Sequence, residues 1–177
     1  MSAKSSDKSP YVWATLRIGL GFIFLWAFLD KMFGLGFAVC RDAATNVINT
    51  GCADAWTQGG SPTTGFLKFA TQGPFAEFYQ NLADNSTVDL LFMTGLFAVG
   101  LGLILGIGVK LSAITGAAML ALMWSSMLWP ANNPFLDDHI IYIVVLAGIA
   151  MANSSQVWGL RGWWVKQPLV KNLPILE

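Results

Sequence analysis

Polar residues are spread unevenly along this chain. Leu90–Val109 and Leu111–Trp129 contain no Asp, Glu, Lys, Arg or His. A bilayer core takes about 20 such residues as a helix. Run together, the two stretches would make a rod of about 60 Å at ~1.5 Å per residue, roughly twice the hydrocarbon thickness, so the chain must turn between them. "LGIGVKLS", Leu105–Ser112, supplies the turn: two glycines relax the backbone and Lys110 prefers water. Two further apolar runs flank these. One, about 11–33, is interrupted only by Arg17, Asp30 and Lys31; the other, about 139–158, stays apolar until "NSSQ". The pattern predicts an all-α, four-transmembrane-helix antiparallel bundle with spans at about 11–33, 90–109, 111–129 and 139–158, residues 1–177 forming a single integral membrane domain.

The segment between the first two spans, about 34–89, is too long for a structureless loop. In "PTTGFLKFATQGPFAEFYQNLAD" the Gly73-Pro74 pair breaks the pattern. On either side of it, Phe66, Leu67 and Phe69, then Phe75, Phe78, Tyr79 and Leu82, recur at helical intervals. Short amphipathic helices on or in the outer leaflet fit this spacing, as does a cap packed over the bundle.

Composition agrees with the pattern: 55% of residues are hydrophobic and 11% charged. The formal charge is zero, so no basic excess points to nucleic acid. The expected partners are the lipid bilayer and other protein subunits or further copies of the chain. The basic residues set an orientation. Lys4, Lys8, Lys110, Arg161, Lys166 and Lys171 fall on one side if both termini are cytoplasmic, while Asp42, Asp54, Glu77, Asp84, Asp89, Asp137 and Asp138 collect opposite, with Arg41 and Lys68. The expected protein is multi-pass in the cell membrane, both ends cytoplasmic and 34–89 external. Its first helix has no small-x-small cleavage site after Asp30-Lys31 and reads as an uncleaved anchor. Val39 is the wrong residue for a lipid-attachment box at Cys40.

Cys40 and Cys52 share the external segment. In an oxidising compartment the default is a structural disulfide, with a redox-cycling pair as the alternative. Asn85-Ser86-Thr87 matches a glycosylation acceptor on the external side; Asn153-Ser154-Ser155 matches on the wrong side. No haem, iron–sulfur, flavin or metal motif is present: a b-type haem usually takes two histidines and the chain has one. The glycines of "GLFAVGLGLILGIG" lack the strand context of a dinucleotide loop and read instead as close helix contacts, with Gly95, Gly100, Gly102, Gly106 and Gly116 as candidates.

Ionisable groups at membrane depth are costly unless paired or hydrated. Asp138 and His139 stand four and three residues before Tyr142, so all three can share a helical sector. The predicted topology brings the end of the first helix to the same depth. The candidate catalytic set is Asp138, His139 and Tyr142; Trp26, Asp30, Lys31 and Trp129 would bind substrate or quinone. The plainer reading makes Asp137 or Asp138 the cap of the fourth helix, and capping does not exclude a site. Arg17 lies about 10 Å inside its helix at ~1.5 Å per residue; snorkelling is expected, with a buried ion pair or a lipid phosphate as alternatives. Trp158, Trp163 and Trp164 form an aromatic belt beyond the fourth helix.

"LRIGLGFIFLWAFLDKMFG", "GGSPTTGFL", "GPFAEFY", "GLGLILGIGVKLSAITGAAMLALMW" and "NPFLDDHIIYIVVLAG" occur in order from Leu16 to about Gly148. They resemble the DoxX/DoxD family of small membrane proteins, and within it the membrane subunit of thiosulfate:quinone oxidoreductase. The resemblance implies a four-helix subunit that passes electrons from thiosulfate or another sulfur compound to membrane quinone beside a small partner subunit; some relatives are non-catalytic accessory parts of larger redox complexes. In such a reaction Lys31, Arg41 or Lys68 would hold the sulfur dianion. His139 or Asp138 would exchange protons, since a group titrating near the working pH does so best. A transporter is disfavoured, because the second and third spans have no ionisable group at mid-depth.

Overall fold

A computed structural model describes residues 8–152, 154 and 157–176. The described chain is all-helical: α1 (Ser9–Phe33), α2 (Thr64–Phe69), α3 (Ala76–Gln80), α4 (Ser86–Leu105), α5 (Val109–Ser126), α6 (Asp138–Met151), α7 (Arg161–Trp164) and α8 (Pro168–Asn172), with short 3₁₀ turns between. Lys4, and Asn153 and Ser155 of the second glycosylation triplet, lie outside the described residues.

Helices α1, α4 and α5 are long and apolar enough to cross a membrane. Helix α6 has 14 residues, about 21 Å at ~1.5 Å per residue, and falls short of a core of about 30 Å. It stops at Met151, before the Asn and Ser side chains of "NSSQ". The helix starts and stops differ from the apolar runs because caps set them. Asn85 accepts the Thr87 N–H at 2.9 Å and starts α4 ahead of Leu90. Gly106, at φ 67°, ends α4 in the left-handed conformation glycine tolerates.

The four longest helices pack as a ring, α1 on α4, α4 on α5, α5 on α6 and α6 on α1. Leu20, Phe24, Met93, Val99, Leu103 and Leu146 fill its centre. Glycines set the closest approaches, as the small-residue pattern predicts. A Cβ on Gly21 would lie 2.9 Å from Leu103 and Ile104, and one on Gly100 would lie 2.7 Å from the Leu25 backbone nitrogen, so α1 and α4 meet almost backbone to backbone.

Neighbouring helices in the ring run antiparallel, which sorts the charges. The described acids all belong to one end: the last turn of α1, the 34–89 segment, the first turn of α4 and the α5–α6 junction. This is the acidic end. Lys8, Lys110, Arg161, Lys166 and Lys171 belong to the opposite, basic end.

Arg17 does not snorkel. It is fully buried, 0% exposed. Its guanidinium donates to the carbonyls of Leu103 and Ile104 in the last turn of α4, and to those of Val157 (3.1 Å) and Trp158 (2.9 Å) after α6. A helix end leaves carbonyls without internal donors and carries partial negative charge, so a fork of N–H groups is matched to it. Neither an ion pair nor a phosphate is needed to explain the burial. Arg17 is the clamp that ties the C-terminal segment to the ring.

Candidate functional site

At the acidic end the 34–89 segment folds back over the ring. Asp30, 1% exposed, makes this possible. Its carboxylate accepts the backbone N–H groups of Phe37 (3.0 Å) and Ala38 (2.5 Å), and its carbonyl accepts that of Gly34 (2.7 Å) as α1 ends. Trp26, one turn earlier on the same face, meets the Phe37 ring edge-on at 5.2 Å. Cys40 and Cys52 form a disulfide that closes this loop, with the Cys40 sulfur packed against Gly34. Asp30 and Trp26 are thus engaged by the chain itself.

Lys31 points elsewhere. It lines a cavity of about 330 Å³ formed where the 61–82 segment covers α4 and α5. Phe66, Leu67, Leu82, Phe92, Met119 and Met123 supply apolar walls; Thr63, Tyr79 and Ser126 are the hydroxyl residues. The Lys31 ammonium stands 6.0 Å from the centre of the Phe92 ring and has no hydrogen-bond acceptor or ion-pair partner among the described residues. Tyr79 is held by a 2.6 Å hydrogen bond to Ser125. Leu91 and Leu122 also line the cavity, yet are 68% and 57% exposed on helices that are apolar all round. The cavity therefore opens sideways from the ring, on the surface a bilayer would cover.

Its roof is fixed by a carboxylate. Asp89, buried in the first turn of α4, accepts the hydroxyls of Ser61 (2.8 Å) and Thr63 (2.6 Å), and the neighbouring Thr64 hydroxyl bonds Asp84 at 3.1 Å. Asp84 also pairs with Lys68 at 2.5 Å. That hydrogen bond, then the one from Thr64, holds the Asp84 carboxyl below its usual range against some desolvation. Between these bonds α2 and the 61–64 loop are tied to the start of α4.

Asp138 and His139 belong to a second cavity, of about 320 Å³, lined also by Gln72, Met127, Asn132 and Asp137. Asp137 is the cap of α6: one oxygen accepts the N–H groups of His139 (3.0 Å) and Ile140 (3.3 Å), the other lies 2.7 Å from Nδ1 of His139. The Nδ1 nitrogen is thus held by the same carboxylate that caps the helix. Asp138 is exposed beside it. Tyr142 packs at partial depth against the apolar centre and Trp129 stands exposed against Phe135; neither lines either cavity.

Five of the seven candidate residues from the sequence thus divide among three environments, and Tyr142 and Trp129 lie in none of them. Lys31 faces one cavity, Asp138 and His139 another, and Asp30 with Trp26 the returning loop. Thr63, Tyr79, Asp89 and Ser126 escaped sequence reasoning. Asp89 carried one available signal, an acid one turn inside a capped helix with "SPTT" upstream to supply hydroxyls. Of the cations at this end, Lys68 is paired with Asp84, and Arg41 donates through Nε to the Gly36 carbonyl at 2.6 Å while stacking over Phe37. Lys31 alone of these three faces a cavity without an acceptor among the described residues.

No protein-family model, curated protein or solved structure matches this chain.

Proposed function

We propose that the chain is an integral membrane subunit of a redox complex, resembling the DoxX/DoxD proteins, that seats a quinone head in the Lys31 cavity. In this reading α6 joins α1, α4 and α5 as a fourth membrane element, and both termini are cytoplasmic. The observation that carries it is an ammonium without an acceptor in an apolar, laterally open cavity of about 330 Å³, within the size range of small-molecule sites. A half-buried ammonium beside the Asp30 charge and the Phe92 ring, without a hydrogen-bond acceptor of its own, favours a ligand that brings one, and a quinone carbonyl joined to an apolar ring and tail supplies it. A sulfur dianion is a poorer match, because its charge would be stripped of water for a single cation.

The overall reaction would take two electrons from thiosulfate or another reduced sulfur compound, two thiosulfates becoming tetrathionate, and deliver them with two protons to quinone, giving quinol. Lys31 would orient one carbonyl and stabilise the negative charge that develops on it as electrons arrive. His139 and Asp138 line the other cavity, so the two protons would reach the quinone from the external solution and not through these side chains. A second reading, a non-catalytic accessory subunit, draws on the cavity beside the disulfide, where Asp42 and Asp54 face Arg41 and Arg41 is itself bonded to Gly36; this disfavours an anion there and places donor oxidation on a partner. Purification in mild detergent, with mass spectrometry for bound quinone and partner proteins and an assay of thiosulfate-driven quinone reduction, tests the proposal. Copurified quinone with activity supports it; an intact complex whose activity survives Lys31→Met and which holds no quinone in this subunit supports the accessory reading.

A further inference from the structure

The segment after α6 crosses the basic end of the ring. Arg17 holds it at Val157 and Trp158, the Leu160 N–H donates to the Leu105 carbonyl at 2.8 Å, and the Trp158 ring meets Tyr11 of α1 edge-on at 5.5 Å. Val170 is buried at 1% exposure, Trp164 donates to the Leu176 carbonyl, and the 174–176 turn packs on α5. The segment thus reaches from α1 and the end of α4 across to α5. What it leaves outward is mixed: Trp158, Leu160, Trp163, Leu169 and Leu173 are exposed, and exposed Lys166 and Lys171 are interleaved with them. Lys8 and Lys110 are exposed at the same end, and no Asp or Glu occurs among the described residues of 8–24, 98–118 and 145–176.

We propose that this face is a binding surface for anionic phospholipid headgroups. Among the described residues the charge at this end is of one sign, so it complements a negative surface. The apolar residues are continuous with helices whose flanks a bilayer covers, and indoles among lysines suit the boundary between acyl chains and headgroups. A short segment clamped by a buried arginine holds this surface rigid, so lipid binding requires little ordering of the chain. The inference does not depend on what occupies the Lys31 cavity.

The test compares phosphatidylglycerol with phosphatidylcholine of the same acyl chains, counting lipids retained on the full chain by native mass spectrometry. The wild type should retain the anionic lipid with a preference of about tenfold or more, and Lys110→Gln with Lys166→Gln and Lys171→Gln should bring the two lipids near parity. Lys68→Gln, at the opposite end, should leave the preference intact. Should the triple variant not fold, salt decides on the wild type: going from about 0.05 M to 0.5 M shortens the screening length severalfold and should remove the preference. Equal retention of both lipids by the wild type, or a preference that survives the lysine changes or the salt, overturns the proposal. A copurifying protein that protects Trp163 while no anionic preference is seen overturns it in favour of a protein partner.

Discussion

Replacing Arg17 by Met removes four guanidinium–carbonyl contacts while keeping an unbranched side chain of similar reach. Hydrogen bonds to a charged group contribute about 1.5–3 kcal/mol each, so four amount to roughly 6 kcal/mol at the low end. Burying the guanidinium opposes this by several kcal/mol. The carbonyls of Leu103, Ile104, Val157 and Trp158 would lose their donors, and those of α4 are already end carbonyls without partners inside the helix. The net loss expected for Arg17→Met is about 3 kcal/mol, within the range for breaking a buried charged contact. Arg17→Lys should recover less than half of it, because a single ammonium cannot span two pairs of carbonyls as the planar fork does. Denaturant titration in mixed micelles reads both, and limited proteolysis should show the 157–176 segment released first. A loss under about 1 kcal/mol for Arg17→Met, or full rescue by Lys, would refute the clamp.

Three other outcomes follow from the same geometry. Cys40→Ser with Cys52→Ser should cost up to about 3 kcal/mol on the chain-entropy estimate and lower thermal stability more than electron transfer; a stable double variant with no electron transfer would make the pair redox-active. Lys31→Met and Asp138→Asn face separate cavities, so their effects on stability should add within about 0.5 kcal/mol in a double-mutant cycle; strong coupling would mean that the two cavities communicate. The Asp42 carboxyl is held below its usual range first by the Thr45 backbone N–H, then by the Thr45 hydroxyl and the Ala44 N–H, with desolvation opposing. Its folded value is lower than its unfolded one, so its contribution to loop order is complete above the unfolded value of about 4 and is lost as pH falls through the folded value. Hydrogen exchange of residues 42–47 should therefore rise below that range in the wild type, and in Asp42→Asn should be faster at neutral pH with little further change on acidification.

Much of the helical layout can be read from the chain because charge-free runs of this length have few other uses, and the glycine contacts of α1 with α4 follow from small residues within them. The helix limits are read less evenly: the cap at Asp137 and the turn at Gly106 show in the residue types, whereas Asn85 starts α4 ahead of Leu90, and α6 ends at Met151, at points that hydropathy does not register. Cys40 and Cys52 were legible from their shared loop. Arg17 was visible as an oddity, but its partners are backbone carbonyls that no side-chain pattern encodes. The candidate site was legible only in part. Helical spacing places residues on a face, and Trp26 with Asp30 do share one, but it does not say which neighbour that face meets. Lys31, the next residue after Asp30, turns by about 100° to the α4–α5 side. The Lys31 cavity itself depends on Asp89, Ser61 and Thr63 joining segments far apart in sequence, which is a tertiary fact.

Binding of a short-chain quinone to the purified protein, titrated for wild type and Lys31→Met and read by quenching of tryptophan fluorescence, tests the central claim most directly. Loss of one charge-assisted hydrogen bond of about 1.5 kcal/mol or more should weaken binding by roughly tenfold or more while the fold is retained. Saturable quinone binding that is unchanged in Lys31→Met, or no binding by the wild type, would contradict it.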